Sequence, residues 1–392
     1  MKNRLENGTI RIFLEGRIDG GNAGEFEREM FAALDAAPDA APVLDAENLI
    51  YISSAGLRAL MKLRKRVNRP VPIHNVSPDV YDILEVTGFS ELLEVHKKLR
   101  EISVDGCPLL GEGANGRVYR LTEDEMIKVF RPGITLDGIE MEREASRKAF
   151  LLGVPCAIPF DTVRCGESYG TVYELLKAAT LVERIRENPD TLSHYAEASA
   201  QLLRQLHDIE LPEGQMSPAS QVFHRAIDAV TKNFTPEETA LLHRVYDAVP
   251  PGNRFIHNDF HAKNIMEANG ELILIDLGDA GYGNPLIDLI HCKLVYNFMG
   301  TGTQHTPDDM TFIGLTYAET ERFWNIFLRS YCGDAGDAER LNRIMTPFAM
   351  MMYFVTAMGH SMLPDQYRSV YANKVRELVF PHKDEMLSAF RE

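Results

Sequence analysis

Apolar residues fall on alternate positions in TIRIFLE, residues 9–15, where Ile10, Ile12 and Leu14 share one face and predict a half-buried strand. The period then changes. In GNAGEFEREMFAAL the apolar positions Phe26, Met30, Phe31 and Leu34 return at helical spacing, and Asn22 stands where a helix cap is wanted. PVLDAENLIYI reads as strand and turn, SSAGLRALMKLRKR as a helix and VPIHNV as a short strand. DVYDILEVTGF and SELLEVHKKL read as two further helices. The alternation of strand and helix predicts a small α/β sandwich over residues 1–100.

A second pattern begins at Pro108. LLGEGANGRVYRL and EMIKVF predict a hairpin with a glycine-rich turn, IEMEREASRKAFLLG a helix, and AIPFDTV and GTVYELL two strands. From about residue 178 the pattern is mostly helical, broken by FIHNDFHAKNIM and by ELILIDLGDAG. The expected division is a strand-rich lobe over 108–176 and a helical lobe over 177–392, with no repeat or low-complexity linker between the halves.

Composition narrows the functions. A hydrophobic share of 45% with 25% charged residues is that of ordinary globular protein, and 392 residues favour two or three domains. A formal net charge of −16 argues against nucleic acid as a partner, because little is left over to neutralise its backbone. The basic run KLRKRVNR, residues 62–69, ends a predicted helix and there compensates the helix dipole. Five scattered cysteines, Cys107, Cys156, Cys165, Cys292 and Cys332, show no C-x-x-C spacing and read as reduced thiols. MKNRLENGTIRIF carries no apolar run with a cleavage site, and the richest apolar stretch, Pro347 to Leu363, is short for a span and contains a histidine. The expectation is a cytoplasmic protein without a membrane partner.

Candidate chemistry lies in motifs far apart in the chain. GEGANGRV is G-x-G-x-x-G-x-V, with Gly111, Gly113, Gly116 and Val118; such glycines let backbone N–H groups approach phosphate oxygens. Because RVYRL continues as a strand, the turn fits a kinase-type flap better than a dinucleotide fingerprint, which runs into a helix. Lys128 stands alone in the apolar strand MIKVF, and Glu144 on the next helix is its expected partner, with Glu140 and Glu142 nearby. In FIHNDFHAKNIM, His257 and His261 would share a helical face as in the zinc motif H-E-x-x-H, but Asn258 occupies the glutamate position. A plain polar loop is a second reading. The third is a phosphotransfer loop, in which Asp259 accepts a hydroxyl proton, Asn264 holds a metal at D-x-x-x-x-N spacing, and Asp276 at the end of ELILID supplies a second metal ligand.

Residues 108 to about 300 resemble the aminoglycoside phosphotransferase and choline kinase branch of the protein-kinase-like fold: HNDFHAKN is similar to its H-G-D-x-H-x-x-N loop, and IDLGDAG to its following segment. The resemblance implies a bilobal α+β fold, Asp259 as catalytic base, Asn264 and Asp276 on Mg²⁺, and ATP held by Lys128, Glu144 and the glycine loop. It also implies an adenine hinge at YELL, including Glu174 and Leu176, and a loop-bracing role for Asp288. Asn258 replaces the arginine that many protein kinases carry, and only a dozen residues separate Asp276 from Asp288, which favours a small acceptor over a peptide. Asp308, Asp309, Glu319 and Glu321 are candidates for an acceptor wall suited to a cation.

VLDAENLIYISSAGLRALMKL resembles the STAS signature of anti-sigma-factor antagonists, in which a serine opening the helix is phosphorylated; Ser54 falls at that position. A helix N-terminus tolerates phosphate well. Here Ser53 follows Ile52, where phosphorylated members carry an aspartate beside the acceptor. The leading expectation is a Mg·ATP-dependent phosphotransferase acting on a small-molecule hydroxyl, with a STAS domain that regulates it or binds an anti-sigma-factor-like or other partner. The alternatives are a kinase for a STAS serine, its own Ser54 or a partner's, and a silent nucleotide-binding scaffold. Retention of lysine, base and both metal ligands speaks against the scaffold.

Overall fold

The computed structural model describes residues 2–6, 8–90, 92–113, 115–212, 214–299, 306–359 and 365–390. Ala114 of the glycine-rich motif and the end of the apolar stretch, residues 360–363, lie outside them. The chain divides into two compact units, Met1–Ser103 and Val104–Glu392.

In the first unit β1 (Asn3–Glu6), β2 (Thr9–Ile18), β3 (Ala41–Ile52), β4 (Pro72–Val76) and β5 (Glu94–Lys97) form a sheet in chain order. β1 pairs antiparallel to β2 and the others pair in parallel. Helices α1 (Ala23–Ala36), α2 (Ser54–Val67) and α3 (Pro78–Val86) supply the crossovers that parallel strands require. Ile10, Ile12 and Leu14 are buried as their alternation demands, with Met30, Leu44 and Leu60 in the same core. Three local expectations change. PVLDAENLIYI is one continuous strand, its register against β2 shifted by irregularities, and no turn intervenes. EVHK is a strand, because its alternation pairs with β4 while Leu93 enters the core. Asn22 precedes α1 without capping it by its side chain; the amide instead closes the preceding loop, accepting from Asp19 N at 2.8 Å and donating to Arg17 O at 2.7 Å. The basic end of α2 places Arg64, Lys65 and Arg66 in its last turn, as its dipole favours, with Arg66 paired to Asp35.

In the second unit the strand Glu125–Phe130 lies between Gly116–Arg120 and Ser168–Glu174; the first of these also pairs with Leu109–Glu112 and the second with Pro159–Cys165, all antiparallel. Helix α4 (Leu136–Leu151) packs on the last two strands, burying Ile139, Ser146 and Ala149. The rest is helical around one large core that includes Trp324, Phe327 and Phe348, interrupted by short strands that carry the polar loops. Phe348, Met351, Met352 and Val355 of the apolar stretch that starts at Pro347 are buried in that core. Among the described residues no helix is long and apolar enough to cross a membrane.

Candidate active site

The strand Glu125–Phe130 delivers Lys128 to a polar pocket, with Val118 directly across in register. Lys128 Nζ donates to Glu142 Oε1 at 2.7 Å and to Asp276 Oδ1 at 3.0 Å. Burial opposes the ammonium, and the carboxylates of Asp276 and Glu142 more than reverse it, so its pKa is raised. Burial pushes the Glu142 carboxyl up, with Lys128 as the main opposing influence. The expected partner Glu144 is therefore corrected to Glu142. On α4, Ile139, Glu142, Ser146 and Ala149 follow helical spacing toward the sheet, whereas Glu144 lies two residues off that stripe and bonds Arg147 at 2.7 and 2.8 Å.

The glycines divide by role. A Cβ on Gly116 would stand 2.2 Å from the Val129 carbonyl oxygen, so this glycine serves strand packing. Around Gly111 and Gly113 a Cβ would meet open space, and the protein's own packing does not call for glycine there. In the segment expected to serve as a hinge, Glu174 Oε1 accepts from Ile158 N at 3.0 Å and Leu176 is partly buried.

Within FIHNDFHAKNIM, residues 257–264 form a mostly buried loop between the short strands Arg254–Ile256 and Ile265–Ala268, and not a helix, which removes the geometry of the zinc motif. Asp288, itself fully buried at the start of helix Leu286–Asn297, accepts from His257 N at 2.9 Å and Asn258 N at 2.6 Å and pairs with His207 Nε2 at 3.1 Å. That is the bracing role expected of it. His257 Nδ1 accepts from Asp259 N at 3.2 Å, so this histidine shapes the loop. Asn264 Nδ2 donates to Asp259 Oδ2 at 2.8 Å, and His261 Nε2 lies 3.3 Å from Asp259 Oδ1. Burial works against ionisation of Asp259, but His261 by charge and hydrogen bond, with His291 and His257, holds its carboxyl well below the usual range.

Asn264 also accepts at its backbone oxygen from Ile275 N at 3.0 Å, which sets it beside Asp276. With its Nδ2 committed to Asp259, the amide oxygen keeps its lone pairs for a metal ion. Asn264 and Asp276 thus offer hard oxygen ligands, which suit Mg²⁺. The Asp279 carboxyl is raised by burial and then by the charges of Asp259 and Asp276, a concentration of negative charge that favours a cation. The backbone here is unusual: Asn258 and Asp276 have φ of 68° and 60°, a region that costs non-glycine residues and clusters at functional sites. Gly278 leaves room for the salt bridge, since a Cβ would meet Glu142 Cγ at 2.7 Å.

Asn258 does work that its sequence position did not reveal. Its Nδ2 donates to Ala219 O at 2.8 Å and Asp279 O at 3.2 Å, tying together two walls of a cavity of about 440 Å³. The cavity is lined by α4, by Met216, Ser217, Pro218, Val222 and Arg225, and by Gly278 to Ala280. Of the acids expected to wall an acceptor site, Asp309 accepts from Thr306 N at 2.6 Å, Glu319 closes a capping box with Thr316, and Asp308 and Glu321 are exposed.

Residues 106–324 match the phosphotransferase enzyme family and residues 3–102 the STAS domain. The chain belongs to the phosphotransferase enzyme family. A STAS domain stands ahead of the phosphotransferase unit in the chain. Over 92 residues, 23% of this chain and 78% of the relative, it is 30% identical to a protein of Bordetella bronchiseptica named anti-sigma factor antagonist BtrV. Similar solved structures include the ADP-bound aminoglycoside phosphotransferase APH(2'')-Ib, at 18% identity, 71% of this chain, 93% of that chain and a TM-score of 0.47. A choline/ethanolamine kinase family protein from Mesorhizobium loti is also similar, at 18% identity, 73% of this chain, 93% of that chain and a TM-score of 0.44.

In the STAS domain Ser54 is the first residue of α2 and exposed, while Ser53 caps the helix, accepting from Gly56 N at 3.5 Å. In the phosphotransferase unit His207 was not singled out from sequence, although its Nδ1 lies 2.8 Å from Tyr331 OH and its Nε2 reaches Asp288. A histidine ending an amphipathic helix carries no sign of a partner 81 residues away.

Proposed function

We propose that the phosphotransferase unit moves the γ-phosphoryl group of Mg·ATP to the hydroxyl of a small molecule. The observation that carries this reading is the placement of Asp259, bonded by Asn264 within the loop that Asp288 braces, with neighbouring histidines holding its carboxyl below the usual range. Lys128, kept charged by Glu142, would hold the α- and β-phosphates; backbone groups at Gly111 and Gly113 would cover them, and the hinge at Glu174 and Leu176 would meet the base. Mg²⁺ held by Asn264 and Asp276 would neutralise charge on the transferring group. Asp259 accepts a hydrogen bond from the acceptor hydroxyl and aligns its lone pair with phosphorus; the new P–O bond forms as the bond to ADP breaks, and the proton passes to Asp259.

The cavity beside Asp279 favours a compact acceptor, and its walls carry Lys148 and Arg225 as well as acids. The STAS domain would bind a regulatory protein of the anti-sigma-factor type. The exposed Ser54 at a helix N-terminus supports a second reading, in which a STAS serine receives the phosphate. Asp259→Asn tests the main reading: turnover should be lost while ATP still binds, and an unimpaired variant would sink it. Ser54→Ala tests the second, which fails for self-phosphorylation when the variant incorporates as much phosphate as the parent.

A further inference from the structure

Helix Leu286–Asn297 meets the loop 257–264 residue by residue. Asp288 accepts from the N–H groups of His257 and Asn258, Cys292 Sγ donates to Phe260 O at 3.2 Å, and Tyr296 Oη accepts from Ala262 N at 2.9 Å. At this spacing the three side chains share one helix face. His291 lies on the same face, three residues after Asp288, and reaches Asp259 without making a bond of this kind. Its Nδ1 stands 3.9 Å from Asp259 Oδ1 and is buried with no hydrogen-bond partner. Support of the loop therefore does not account for it, and leaving a buried ring nitrogen unbonded is costly.

The gap is too long for a hydrogen bond, but an oxygen about 2.8 Å from each atom spans it. Asn264 Nδ2 bonds Asp259 Oδ2 and His261 Nε2 lies 3.3 Å from Oδ1, which has a further lone pair for that oxygen. The His291 side chain is 17% exposed although its Nδ1 is buried, so the accessible part of the ring is the side that carries Nε2. His261 is nearer to Asp259 but closed in: it is 4% exposed, and its Nδ1 is buried without a hydrogen-bond partner. A proton handed to His261 has no way out.

Asp259 needs an outlet. Its neighbouring histidines hold the carboxyl below the usual range, so a proton taken from an acceptor is readily given up again at neutral pH. Burial lowers the pKa of His291; Asp259 of the loop and Asp288 on its own helix oppose that, while His261 and His257 of the loop add to it. The ring is accordingly neutral at neutral pH, with a lone pair to offer.

We propose that His291 relays the acceptor's proton from Asp259 to solvent, a role that rests on the reading of Asp259 as the base. The acceptor O–H bond breaks as its oxygen bonds phosphorus, and the proton lands on Asp259 Oδ1. From there it passes through one bridging water to the Nδ1 lone pair, and the imidazolium so formed releases its Nε2–H proton to bulk water. The two tautomers re-equilibrate through water once the product has left.

The test follows label from γ-labelled Mg·ATP in full-length protein, with water and then small alcohols and amino sugars as acceptors. H291N keeps a polar group near the place of Nδ1 but cannot pass a proton on. It should melt as a folded protein, keep the parent's KM for ATP and lose about a hundredfold in kcat, with added imidazole restoring part of the loss. H291Q repeats the measurement where H291N does not fold. The parent's kcat should fall on acidification below the usual imidazole range, where the ring is already charged, and the variant should lack that acid limb. The relay alone is overturned if transfer is lost in Asp259→Asn but kept in H291N, or if imidazole restores nothing and the acid limb persists. The phosphotransfer reading falls, and the relay with it, if the parent moves no label or Asp259→Asn moves as much as the parent.

Discussion

Two turns carry the candidate chemistry of this protein, and they are built in opposite ways. The loop His257–Asn264 is buried and tied from several sides: Asp288 holds two of its backbone N–H groups, Asn258 holds the flanking segments, and Asn264 holds Asp259. The turn Ser53–Gly56 in the STAS domain has Ser54 exposed and one long capping contact of 3.5 Å. These ties restrict the first loop and fix where its carboxylate stands. An open helix N-terminus leaves a hydroxyl free to be approached. The difference is that between a carboxylate fixed in position and a hydroxyl left open to approach.

The contrast can be broken at several points. Asp259→Asn should cut turnover by about 10²- to 10⁴-fold with nucleotide affinity largely kept, measured by steady-state kinetics and calorimetry. Asp288→Ala should cost about 3–5 kcal/mol of stability in denaturant unfolding of the phosphotransferase unit, since His207 and two backbone N–H groups lose their partner. Glu142→Gln should raise the apparent KM for ATP about tenfold or more, whereas Glu144→Gln should leave it nearly unchanged; equal effects would remove the distinction between the two acids. On the open turn, Ser53→Ala should cost about 0.5–1 kcal/mol as a lost cap, and Ser54→Ala less than that.

Much of this was legible in the chain. The alternation in TIRIFLE and the motif order from Gly111 to Asp276 point to the two units and to the residues of the candidate site. What stayed hidden depends on rotation or on distant partners. Glu140, Glu142 and Glu144 are equivalent as letters, and only the buried stripe of α4 selects Glu142. Strand β5 was masked because a short EVHK run fits either period until a parallel neighbour is present. His207 and Asn258 act through groups far away in sequence, which no local pattern encodes.

The most direct test follows the label from γ-labelled ATP in purified full-length protein with Mg²⁺ and a panel of small alcohols and amino sugars. Transfer of label to a low-mass acceptor, abolished by Asp259→Asn and by chelation of Mg²⁺, is the predicted result. Label found only on the protein at Ser54, or transfer that persists in Asp259→Asn, would contradict the account.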